Sequence, residues 1–204
     1  MLFEKKLMPD MTLGTYRDVT PELLRALGAK ALICDVDNTL APYEELDASD
    51  EVVAWHAALR DTGITVTLVS NNHRERAERF CRRLGCPFHH DVGKPSAKYL
   101  LLSMKEMGST PRDTVFLGDQ LLTDALAAHR AGMRALIVPP IKDKRSLFFR
   151  AKRLIERPYM KKYRKLHGGH DDDMMGLAIA HAIMEQVVFP AAAAPVVRER
   201  IIVV

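Results

Sequence analysis

Cysteine, aromatic rings and long apolar runs are all scarce in this chain. Its three cysteines, Cys34, Cys81 and Cys86, are odd in number and lack the paired short spacings of a disulfide framework or a zinc site, which points to a reducing compartment. Aromatic residues make up only 6% of the chain and no nucleic-acid-binding motif accompanies them, which weighs against a base-stacking surface. Nowhere do about 18 apolar residues run together, the length a membrane span needs. The opening residues MLFEKKLMPDM carry lysines with no apolar stretch of signal-peptide length behind them. The expectation is a cytoplasmic protein that does not span a membrane. What the chain does have is 204 residues, 48% of them apolar, enough for one ordinary domain with a sizeable core and some tail. Its net charge of +4 is unevenly spread, because Ile141–His167 holds eleven Lys/Arg against two acids, a local +9 that leaves −5 for the rest.

Four short apolar runs without polar alternation read as buried strands: Ala31–Cys34, Ile64–Val69, Thr114–Leu117 and Arg134–Val138. Helices are expected at Asp50–Thr62, Arg74–Leu84, Ala97–Met107 and Thr123–Ala131, each stopped by a glycine, with Ser96 as the N-cap of the third. This alternation predicts an α/β, Rossmann-like three-layer sandwich with a parallel sheet over about residues 20–140. In the second helix Ala77, Phe80, Cys81 and Leu84 form a core-facing stripe, and the intervening arginines, Arg76 among them, read as a solvated back. Beyond Pro139-Pro140 the pattern changes. The expected division is a domain over 1–140, a basic arm over 141–170 and a tail over 171–204 whose role the residues do not reveal.

The first strand runs into Asp35-Val36-Asp37-Asn38-Thr39-Leu40, which puts two carboxylates at the carboxyl end of a buried strand, where open parallel sheets bind ligands. One carboxylate there can attack phosphorus and the other can protonate the leaving oxygen; a turn-capping aspartate pair would leave the same residues. The third strand ends in Gly118-Asp119-Gln120-Leu121-Leu122-Thr123-Asp124, and oxygen ligands from two strand ends suit Mg2+. The second strand ends in Ser70-Asn71-Asn72 at a helix start, fit to face a phosphate or simply to cap the helix. Lys94, before Pro95, can bring positive charge to a transferring phosphoryl group.

Taken together, DxDxT, Ser70, Lys94 and GDxxxxD occur in an order and at boundaries that resemble the haloacid dehalogenase (HAD) superfamily. That resemblance implies a Mg2+-dependent phosphomonoester hydrolase. Asp35 would be the nucleophile and Asp37 the general acid and then base, with Thr39, Ser70, Asn71 and Lys94 at the phosphate. The metal would be held by Asp35, the Asp37 backbone carbonyl and Asp119, with Asp124 supporting. Only 34 residues separate Asp35 from Ser70 and 23 separate Ser70 from Lys94, so no cap domain fits. More closely, LMPDM, CDVDNTLAPYEE, VSNN, GKP, GDQLLTD, PPIKDK and RAKRLIERP resemble the YqeG-like subfamily III phosphatases, among whose eukaryotic relatives is the mitochondrial phosphatidylglycerophosphate phosphatase. The implied substrate is phosphatidylglycerophosphate or another lipid-borne or bulky phosphate. A polynucleotide end, a small phosphometabolite, or a HAD-fold binding and assembly role are the alternatives.

Within the arm, apolar residues such as Leu154, Ile155, Tyr159, Met160 and Tyr163 interleave with Lys and Arg. Such a segment can dock on an anionic membrane, making the protein peripheral on its inner face, or pack over the domain with a solvated basic side. Pro158 is expected to interrupt a single long helix there. Oligomeric state leaves no trace in the sequence.

Overall fold

The computed structural model describes residues 6–142 and 147–167. Six strands form one parallel sheet: β1 (Met11–Thr12), β2 (Ala31–Asp35), β3 (Thr65–Val69), β4 (Phe88–His89), β5 (Thr114–Gly118) and β6 (Arg134–Ile137), in the order β1-β6-β5-β2-β3-β4. The two central strands are β5 and β2, and every residue of both is buried. Strands buried on both faces need apolar side chains throughout, which is why ALICD and TVFLG show no alternation.

Helices cover both faces. On one side lie α1 (Pro21–Ala26), α2 (Asp50–Asp61) and α3 (Arg74–Arg82), whose Leu23, Leu24, Val52, Leu59, Phe80 and Cys81 join Leu32, Cys34, Val66 and Leu68 in one core. On the other lie α4 (Lys98–Met107) and α5 (Leu126–Arg130), with Leu100, Met104, Ala127 and Ala128 packed on Ile33, Val69 and Phe116. Each fully buried Leu, Ile or Phe contributes roughly 1.5–3 kcal/mol of transfer free energy, so the edge of the sheet that carries the polar residues below rests on a rigid base. The expected three-layer α/β architecture is what folds, with no cap among the described residues.

Four details differ from the sequence reading. Strands β1 and β4 and helix α1 were not expected; two-residue strands are too short to show a period, and they form by pairing with β6 and β3. Helix α4 has Ala97 rather than the expected Ser96 at its N-cap, without a side-chain bond, while Ser96 Oγ, one residue before that cap, accepts from Lys98 N at 3.3 Å. The last expected helix starts two residues early, in a π-helical turn over Leu121–Ala125 that runs into α5. Pro158 does not interrupt the arm: α6 is continuous over Leu147–Leu166. Proline removes only its own N–H from the ladder, and Pro158 lies on the exposed side, where water can serve the carbonyl it frees.

Helix α6 docks by a stripe at helical spacing. Glu156 and Tyr163 are each 2% exposed, Tyr159 and Met160 pack on the α4–α5 core, and Leu154, Ile155, Arg157, Lys161, Arg164, Lys165 and Leu166 face outward. No helix among the described residues is long and apolar enough to cross a membrane. The expected tail over 171–204 lies outside the described residues.

Candidate active site

Three adjacent strands of a parallel sheet point their carboxyl ends the same way, so Asp119 after β5, Asp35 at the end of β2 and Ser70 after β3 stand side by side. Lys94 joins them from the loop between β4 and α4. Its side chain is 3% exposed, and Nζ donates to Asp35 Oδ1, lies 2.7 Å from Asp124 Oδ1 and stands 5.6 Å from the centre of the Phe116 ring. Burial alone would push the lysine to deprotonate, but Asp124 and Asp35 outweigh it and hold Nζ as ammonium. Lys94 is therefore a buried cation aimed at the strand tips.

Asp35 is 4% exposed, with Thr39 Oγ1 donating to its Oδ2 at 3.2 Å. Its carboxyl is pushed well above the usual range by burial first, with Lys94 opposing and Asp124, Asp119 and Asp37 adding repulsion. Thr39 can reach back because Asn38 takes a left-handed φ of 64°, which asparagine tolerates better than most residues, and the turn is tied by Asn38 N to Ala41 O at 2.7 Å.

Asp35, Asp119 and Asp124 are all buried, and one oxygen from each lies within 4.8 Å of the others. Asp124 Oδ2 accepts from Asp119 N at 3.1 Å and Gln120 N at 3.0 Å, which folds the GDQLLTD turn onto itself. That approach requires Gly118, since a Cβ there would meet Asp124 Cβ, Cγ and Oδ2 at 2.6 Å. Among the described residues, the partner of Asp124 Oδ1 is Lys94 Nζ at 2.7 Å. Three buried carboxylates against one ammonium leave negative charge in excess, and the hard oxygen donors suit a divalent cation such as Mg2+. The residues fit a metal of that kind.

Asp37 points elsewhere. Ser70 Oγ donates to its Oδ2 at 2.8 Å, and Arg76 Nε donates to its Oδ1 at 2.7 Å. The side chain of Asp37 is thus outside the metal triad, which leaves its backbone carbonyl as the atom the sequence reading offers to a metal. The side-chain amide of Asn71 bridges to the Lys94 loop: its Oδ1 accepts from Lys94 N at 2.8 Å and its Nδ2 donates to Lys94 O at 3.2 Å, so the amide fixes the backbone that aims the lysine. Ser70 Oγ also accepts from Asn72 N at 2.9 Å.

Two residues near this edge escaped the sequence reading. Arg76, read as solvated, has its side chain 8% exposed and is bonded to Asp37 and to the carbonyls of Glu45 and Pro42. Glu156 of α6 is buried, with Oε1 accepting from Leu122 N at 3.0 Å, which ties the arm to the turn that carries Asp124. The only sequence signal for Glu156 is that it is the one acid inside a basic helix.

The family model of haloacid dehalogenase-like hydrolases matches residues 4–132. Among curated proteins, the "Probable phosphatase YqeG" of Bacillus subtilis is 33% identical over 156 residues, 76% of this chain and 91% of that protein. The phospholysine phosphohistidine inorganic pyrophosphate phosphatase of Xenopus laevis is 38% identical over 47 residues, 23% of this chain and 17% of that protein. Among solved structures, the cobalt-bound deoxy-D-mannose-octulosonate 8-phosphate phosphatase of Haemophilus influenzae is similar at 18% identity and a TM-score of 0.45, covering 76% of this chain and 99% of that one.

Proposed function

Because this chain belongs to the haloacid dehalogenase-like hydrolase family and is a phosphatase of that family, we propose that it acts on a lipid-borne or similarly bulky phosphomonoester, phosphatidylglycerophosphate first, through an aspartyl-phosphate on Asp35. In this reading an Asp35 oxygen attacks phosphorus while Asp37 protonates the leaving oxygen; Asp37 then takes a proton from the water that hydrolyses the aspartyl-phosphate. Ser70, Thr39 and the ammonium of Lys94 hold the phosphoryl oxygens as charge develops on them, with Asn71 aiming Lys94. Mg2+ held by Asp35, Asp119 and the Asp37 carbonyl, with Asp124 beside them, would supply Lewis-acid charge that offsets the carboxylates and the phosphate dianion.

The observation that carries the substrate class is the outer side of α6. Its buried stripe anchors the helix beside the Leu121–Ala125 turn, and that leaves Leu154, Ile155 and Leu166 exposed among Arg157, Lys161, Arg164 and Lys165. Apolar side chains mixed with cations suit the boundary of an anionic membrane, each cation near the surface adding roughly 1 kcal/mol. The protein would then sit peripherally on the inner face, and residues 36–49, too short for a cap, leave the site open to a large headgroup. The sequence division into a 1–140 domain, a 141–170 arm and a remaining tail is kept as part of this proposal.

The test is phosphate release with Mg2+ from phosphatidylglycerophosphate in mixed micelles, a 3′-phosphorylated oligonucleotide and a sugar phosphate. Preference for the lipid is the expected result. Activity on the others alone would keep the chemistry and overturn the substrate, and no activity on any would bring forward a binding or assembly role.

A further inference from the structure

The arginines on α3 and just after it divide by partner. Arg79 pairs with Asp47 of the loop after β2 at 2.6 Å and Arg83, at the C-cap, pairs with Asp50 at the start of α2 at 2.6 Å, both at exposed positions. Arg76, one turn earlier, is buried, and three of its nitrogens are committed: Nε to Asp37 Oδ1 at 2.7 Å, Nη1 to Glu45 O and Nη2 to Pro42 O at 3.0 Å. Its guanidinium also stands 5.2 Å from the centre of the Tyr43 ring. A planar fork held by two loop carbonyls has little freedom, so it fixes the third group it binds. Here that fixed group is the side chain proposed as general acid.

The chemistry of donors sharpens this. A guanidinium has only N–H donors, so the Oδ1 it binds can act only as an acceptor. A hydroxyl can donate or accept, so Oδ2, facing Ser70 Oγ at 2.8 Å, is the oxygen that can carry a proton and release it. Resting on the phosphatase reading above, we propose that Arg76 is a positioning residue: it pins Asp37 by Oδ1 so that Oδ2 delivers the proton to the leaving oxygen, and it references that carboxyl to the Pro42–Glu45 turn. In the first step the proton passes from Asp37 Oδ2 to the leaving oxygen as the ester P–O bond breaks and the bond from Asp35 to phosphorus forms. In the second, water gives its proton back to Oδ2 as its oxygen takes phosphorus from Asp35. No other reactant is needed.

A mispositioned general acid penalises poor leaving groups, which need the proton, far more than good ones, which do not. A merely structural arginine would lower all rates together. The experiment measures kcat/KM with Mg2+ over a series of phosphomonoesters from p-nitrophenyl to phenyl to alkyl, for wild type, Arg76→Met, Arg76→Lys, Asp37→Asn and the double variant Arg76→Met/Asp37→Asn. Arg79→Ala is the control, since it releases the same loop without touching Asp37. Arg76→Met should lose about 10²-fold or more on the alkyl ester, the worth of a general acid, and much less on p-nitrophenyl phosphate. Arg76→Lys, which keeps the cation and the fold but not the fork, should show the same slope in smaller degree. Arg79→Ala should change all rates by one factor. In the Asp37→Asn background, Arg76→Met should add little, because the group it positions is gone. A loss equal on every ester, or one that adds in full to Asp37→Asn, overturns the inference and leaves the phosphatase reading standing. A wild type without Mg2+-dependent turnover of any ester overturns both.

Discussion

The cluster at the tip of β2 and the outer side of α6 each hold charge of one sign in excess, yet their surroundings give that charge opposite meanings. Around Asp35 the side chains of Asp35, Lys94 and Asp124 are 5%, 3% and 1% exposed, so carboxylates that outnumber their one ammonium are not screened. Along α6, Arg157, Lys161, Arg164 and Lys165 are exposed, and salt screens them over a Debye length of about 8 Å. Buried excess charge must be met by a counter-ion, a proton or a partner, and each of those is a chemical role. Exposed excess charge costs the fold almost nothing, so it is free to serve an encounter surface.

The first way to break this contrast is to remove the buried cation. Lys94→Met leaves three carboxylates without compensation and is expected to cost about 3–5 kcal/mol, the usual penalty for breaking a buried ion pair. Urea unfolding measures it, and added Mg2+ should recover part of the loss. A second probe is pH. Asp35 is raised above its unfolded value, so its contribution to stability is fully present below the unfolded pKa and is lost as pH rises through the folded one. The metal-free protein should therefore lose up to about 1.4 kcal/mol per pH unit from this group over that interval, and the rise in Tm produced by Mg2+ should be larger near about pH 8 than near about pH 5. A Mg2+ effect independent of pH would contradict the assignment.

Where the two regions meet, Glu156 accepts from Leu122 N. Glu156→Ala leaves that N–H unsatisfied and should cost about 1–3 kcal/mol by urea unfolding, with a fall in turnover as the turn holding Asp124 loosens. The smallest stability effect belongs to the exposed face. Lys161, Arg164 and Lys165 replaced together by Glu should leave stability within about 0.5 kcal/mol, while sedimentation with anionic vesicles should drop sharply. Unchanged vesicle binding would remove the membrane part of the proposal.

What could be read beforehand follows the same physics. Asp35, Ser70 and Asp119 were legible because buried parallel strands are apolar throughout, so the first polar residue after each marks the functional edge. Lys94 was legible only through its company, since its burial depends on Phe116 and two carboxylates distant in sequence. Arg76 was not legible: it flanks the Ala77–Leu84 stripe like its solvated neighbours, and two of its three partners are loop carbonyls, which every residue type carries alike. Strands β1 and β4 were hidden for a related reason, because they exist by pairing rather than by pattern. Pro158 shows the converse, a strong local signal overridden because α6 is held by its buried Glu156 and Tyr163 stripe.

The most direct test of the central claim is to trap the covalent intermediate. The protein is mixed with an aryl phosphate and Mg2+, quenched in acid, digested and mapped by mass spectrometry, with Asp35→Asn as the blank. The account predicts a phosphoryl adduct on the peptide carrying Asp35, absent in the blank, whose turnover should fall on the order of 10⁴-fold or more while its fold is kept. Sustained turnover by Asp35→Asn, or a phosphoryl group mapped to any other residue, would contradict it.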